Sequence, residues 1–68
     1  MRLGIIKKDK SKVVIESLYE IDITDDQDGT LTFIYITGYD DKKKDYIYKT
    51  IEINKEDIQL IYFGGWND

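Results

Sequence analysis

The chain has 68 residues, 41% hydrophobic and 35% charged, and a formal net charge of −4 at pH 7. That length allows one domain, residues 1–68, and a chain so short buries only about 60% of its unfolded surface. It has no cysteine, histidine or proline, which excludes disulfide staples, thiolate or imidazole metal sites, and the commonest general base and thiol nucleophile.

Period-two alternation dominates from the start. Residues 3–7, "LGIIK", read as a short first strand. The apolar stretch of the basic N-terminal segment is too brief for a signal peptide, and no run approaches the roughly 20 residues of a membrane helix. A cytoplasmic protein is expected. Residues 13–24, "VVIESLYEIDIT", form the clearest alternation. Val13, Ile15, Ser17, Tyr19, Ile21 and Ile23 fall on one face, and Val14, Glu16, Leu18, Glu20, Asp22 and Thr24 on the other. Twelve residues is long for one strand, so a bend or bulge is expected, with Ser17 as its place.

"TDDQDGT", residues 24–30, follows. Aligned as an EF-hand loop on Gly29, it puts Thr24, Asp26 and Asp28 at the early ligand positions but Tyr35 at the twelfth, where a bidentate glutamate is needed. A hairpin turn with Gly29 at positive φ is expected instead, with no metal.

"LTFIYIT", residues 31–37, is a third strand, rich in β-branched and aromatic residues. "YIYKTIEI", residues 46–53, is a fourth, with Ile47, Ile51 and Ile53 inward and Lys49 breaking the row. Asn54 is placed to cap a short helical turn near residues 55–58, whose positive end suits Glu56 and Asp57. "IQLIYF", residues 58–63, is the fifth strand. The competing reading has four strands and a C-terminal helix over residues 55–63, stopped by Gly64 and Gly65.

The fold class is therefore mainly β. Short connections give a five-stranded antiparallel meander. A bent second strand and a helical turn before the last strand resemble, in layout alone, a small SH3-like or Sm-like barrel.

Charge is unevenly spread. Residues 16–28 carry Glu16, Glu20, Asp22, Asp25, Asp26 and Asp28 and no basic residue, whereas residues 1–12 carry five basic residues and one acid. An acidic line of this kind is either a solvated outer face or a surface for a basic partner. Val14 and Leu18 among the acids favour the second use. "FIYI" and "LIYF" are apolar on both strand faces, which places Ile34, Ile36, Ile61 and Phe63 at an interface, with a second copy or another protein. Trp66, in the tail "YFGGWND", is a residue type favoured at interface hot spots.

These features predict a non-enzymatic, cofactor-free, acidic protein-binding domain that forms a homo-oligomer. The absence of alanine, a single arginine and many isoleucines and lysines suit AT-rich coding. The specific expectation is an inhibitor encoded by a phage or mobile element, offering its acidic face to a host nucleic-acid-binding protein. The alternative is a nucleic-acid-binding module, using the tyrosines and lysines of "YDDKKKDYIY" as a stacking platform. Asp40, Asp41 and Asp45 cancel that positive charge, so nucleic acid is the weaker reading.

Overall fold

A computed structural model describes residues 1–64. Six strands form two three-stranded antiparallel sheets, and no α-helix occurs among the described residues. The strands are β1 (Arg2–Lys7), β2 (Lys12–Glu16), β3 (Asp22–Asp25), β4 (Thr30–Asp40), β5 (Asp45–Asn54) and β6 (Ile58–Phe63). One sheet has the order β2-β1-β6 and the other β3-β4-β5. The sheets remain open, so they do not make the closed barrel, and the meander is broken where β6 returns to pair with β1.

The strand count differs from expectation because residues 13–24 serve both sheets. The break falls at Ser17. Its N–H donates to the Met1 carbonyl (2.8 Å), while the next N–H, of Leu18, donates to the Ile36 carbonyl (2.9 Å). Consecutive amides thus bond to different sheets, and the chain crosses from one to the other over residues 17–21. Ser17 itself is buried. Its Oγ accepts from the Ile36 N–H (3.1 Å), which satisfies the hydroxyl and clamps the crossing to β4.

The helix alternative for residues 55–63 is overturned. Only Lys55–Asp57 is helical, a single 3-10 turn, and Asn54 makes no side-chain cap bond there. Residues 58–63 pair along β1 from Lys7↔Ile58 to Leu3↔Phe63. Ladder bonds to a central strand, and apolar contact with the core, outweigh the helix signals of the segment.

The core is small. Leu3, Ile5, Ile15, Phe33 and Ile53 are buried, with Val13, Ile21, Leu31, Tyr35, Ile51, Ile58 and Ile61 packed around them. Of the four fully buried side chains, Leu3, Ile5 and Phe33 come from β1 and β4, the central strand of each sheet, which neighbours cover on both sides, and Ile15 comes from the edge strand β2. The molecule is 15 Å thick in its thinnest direction, consistent with two sheet layers about 10 Å apart.

Two irregularities set which residues face out. In β6 an extra residue, Gln59, shifts the register between Lys7↔Ile58 and Ile6↔Leu60. The shift reverses the side-chain phase, so Ile61 lies opposite buried Ile5 and packs on the core rather than facing out. A second shift at Thr37 lets β4 continue beside β5 to Asp40↔Asp45. The pairing of β3 ends at Asp22↔Ile34, so the distal β4–β5 hairpin runs on as a two-stranded arm.

Candidate protein-binding surface

The outer face of β3-β4-β5 follows from register. Phe33, Ile51 and Ile53 point to the core, so their strand neighbours Ile34, Ile36, Tyr48 and Thr50 point away. Ile36 lies opposite Tyr48, and Tyr39 opposite Tyr46, on that same outward face. The Tyr39 and Tyr46 rings meet edge to face, with centroids 5.3 Å apart. Tyr19, delivered by the crossing after Ser17, meets Tyr46 the same way at 5.5 Å. This neighbour raises the Tyr46 phenol above its ordinary value of 10.0, first through a shared hydrogen bond with Tyr19 and then through charge repulsion from it.

Beside the tyrosines, an open groove of about 590 Å³ is lined by Met1, Leu18, Tyr19, Glu20, Asp22 and Ile36. Leu18 and Tyr19 are more than half exposed. Among the described residues, the only ion pairs are Arg2–Glu16 and Lys55–Asp25, so the Glu20 and Asp22 carboxylates are free for another cation.

The sequence's acidic line therefore divides into three parts. Glu16 sits 3.6 Å from the Arg2 guanidinium. Asp25 takes Lys55 Nζ at 2.8 Å, which, together with the Gln27 N–H, holds its carboxyl below the usual 3.8. Asp26 and Asp28 build the β3–β4 turn. Asp28 accepts from the Thr30 hydroxyl (2.6 Å) and Thr30 N–H (3.1 Å), which lowers its pKa, and Asp26 accepts from the Thr32 hydroxyl. Gly29 takes the expected positive φ (98°), and Gln27 shares it (63°). Among the described residues no three carboxylates gather as a metal site. Only Glu20 and Asp22 belong to the groove.

The expected interface residues also divide. Ile34 and Ile36 share the outer face with the tyrosines. Ile61 is turned inward, and Phe63 is 60% exposed at the end of β6, in the other sheet. Trp66 lies outside the described residues. Sequence reasoning missed Tyr19 and Leu18 as part of one surface with Tyr46 and Tyr48. The signal was Ser17, a polar residue in an apolar row, which marks where the strand leaves its sheet.

No helix among the described residues is long and apolar enough to cross a membrane. Comparison with protein-family models, curated proteins and solved structures gives no match.

Proposed function

We propose that the chain is a non-enzymatic protein-binding domain, working in a cytoplasm, whose outer β3-β4-β5 face docks a protein with a basic surface. One observation carries this reading: exposed Leu18, Tyr19, Tyr39, Tyr46 and Tyr48 adjoin Ile36 and the unpaired carboxylates Glu20 and Asp22. Small domains seldom expose so many large side chains on one face without a partner. Tyrosine suits such a surface because it offers area at little entropic cost and a polar tip. The carboxylates favour a basic partner and steer its approach. Nucleic-acid-binding proteins are one class with basic surfaces, and the inhibitor role expected from composition fits within this reading.

The test is capture from a low-GC bacterial lysate with wild-type and Ile36→Lys baits. A protein held by wild type, released by about 0.5 M salt and absent from the variant supports the proposal. Identical capture by both baits overturns it.

A second reading, a nucleic-acid platform, draws on Lys42–Lys44 at the tip of the tyrosine-bearing arm. Asp40 and Asp45 flank those lysines, and Asp40 also bonds the Lys42 N–H (3.0 Å). A gel shift at submicromolar protein in about 0.15 M salt, lost in the double variant Lys42→Glu with Lys43→Glu, would favour this reading instead.

A further inference from the structure

We infer that the groove beside the tyrosines is a slot for one arginine side chain of the docked protein. This deepens the docking proposal and rests on it. The groove has two kinds of wall. The Met1 side chain, Leu18 and Ile36 give it an aliphatic side, and the Met1 ammonium donates to the Ser17 carbonyl (2.7 Å). Glu20 and Asp22 give it negative charge, and neither carboxylate has an ion pair among the described residues. A ligand group matching both walls needs an apolar stem and a cationic head, which describes arginine and lysine.

Two features select arginine. The Tyr19 ring lines the same groove, and a planar guanidinium stacks on an aromatic face better than a compact ammonium. The two carboxylates come from different positions along the chain, one in the crossing and one at the start of β3. A guanidinium presents five N–H donors in a fixed fork and can serve both, whereas an ammonium is a point charge. The backbone behind the slot is held firmly. Leu18 N–H bonds the Ile36 carbonyl at 2.9 Å, and Ser17 Oγ takes the Ile36 N–H at 3.1 Å. The backbone at Leu18 and Ile36 is thus fixed in the free protein, which spares part of the ordering cost on binding.

The experiment is an amide-shift NMR titration of the full chain with blocked seven-residue peptides. Each has glycines flanking one central arginine, lysine or citrulline. The arginine peptide should bind with a dissociation constant on the order of 1 mM and shift the Leu18, Tyr19 and Ile36 amides. Citrulline keeps the shape and loses the charge, and should bind about five-fold more weakly, the size of an exposed ion-pair contribution. The lysine peptide should also be weaker. Asp22→Asn with Glu20→Gln should reduce arginine-peptide affinity by about five-fold or more while leaving the thermal midpoint unchanged. Equal affinity for citrulline or lysine, or no loss in the double variant, overturns the slot. Shifts confined to Tyr46 and Tyr48 overturn it too, while keeping the docking face. Absence of shifts with every peptide also overturns the slot, and the Ile36→Lys capture comparison then decides the docking proposal separately.

Discussion

Ser17 is a polar side chain at a place where burial would reject one, and it stays because its Oγ has work in three directions. It accepts the Ile36 N–H (3.1 Å) and lies 3.4 Å from both the Ile36 carbonyl and the Tyr19 N–H. Removing the oxygen leaves a half-buried N–H without its acceptor. Ser17→Ala should cost about 1–2 kcal/mol, read as a lower urea midpoint at unchanged slope, and should loosen the crossing that carries Leu18 and Tyr19. Tyr19, on that crossing, meets Tyr46, whose phenol is held above its ordinary range first by the hydrogen bond with Tyr19. Its folded pKa lies above the ordinary 10.0, so its contribution to stability is whole below that value and is lost as pH rises through the folded pKa. Titration followed at the Tyr46 ring resonances should show a raised midpoint, and Tyr19→Phe should lower it. A Tyr46 midpoint that is the same in both proteins would contradict the contact.

Among the elements, β1 carries Gly4 between buried Leu3 and Ile5, and the reason lies across the ladder. A Cβ on Gly4 would come 2.3 Å from the Tyr62 ring, which covers the glycine from β6. Lys12 Nζ, from β2 on the other side, stands 5.3 Å from that ring's centre. Gly4→Ala should therefore destabilise the wild-type protein by about 1 kcal/mol or more through overpacking. In a Tyr62→Ala background the same change should be neutral or stabilising, since glycine inside a strand is otherwise a weakness. Additive effects in a double-mutant cycle of denaturation midpoints would refute that coupling. The β3–β4 turn offers a test in acid. Asp25 and Asp28 have lowered pKa values in the fold, so their stabilisation is present above about pH 4 and fades as pH falls through those values. Protection of the Gln27 and Thr30 amides, taken relative to their intrinsic exchange at the same pH, should fall there, and Asp25→Asn should remove its share. The same carboxylates should show no micromolar calcium affinity by calorimetry, because they are committed to turn N–H and hydroxyl groups. Strand identities in these elements were legible from alternation alone, as was Gly29 with its turn. The parting of residues 13–24 between two sheets was not, because it depends on Ile36, nineteen residues further on. Nor was the inward turn of Ile61, because a bulge at Gln59 leaves no local mark in "IQLIYF". In the candidate site, Glu20, Asp22, Ile34 and Ile36 could be read as outward residues. Their grouping with Tyr19 and Tyr46 required the crossing.

On the scale of the whole molecule, few side chains are buried and many large ones are not. A standard interface covers roughly 800 Å² per partner, and cover of that size on the outer face would stabilise a small domain appreciably even after the association cost. Sedimentation should show self-association at high concentration in the absence of the partner, reduced by Ile36→Lys. A strict monomer for wild type would reserve the face for a different protein. The pairing of β1 with β6 has one more consequence, for biosynthesis. The ladder joins the first strand to the last, from Leu3↔Phe63 to Lys7↔Ile58. A ribosome adding about 5–20 residues per second leaves β1 waiting several seconds for that neighbour. The β3–β4 hairpin has its residues by Asp40, but β5 is complete only at Asn54, just ahead of β6. Until Ile58 and its followers arrive, β1 is paired with β2 alone, and its open edge is where a chaperone, or a neighbouring nascent copy, has its opportunity.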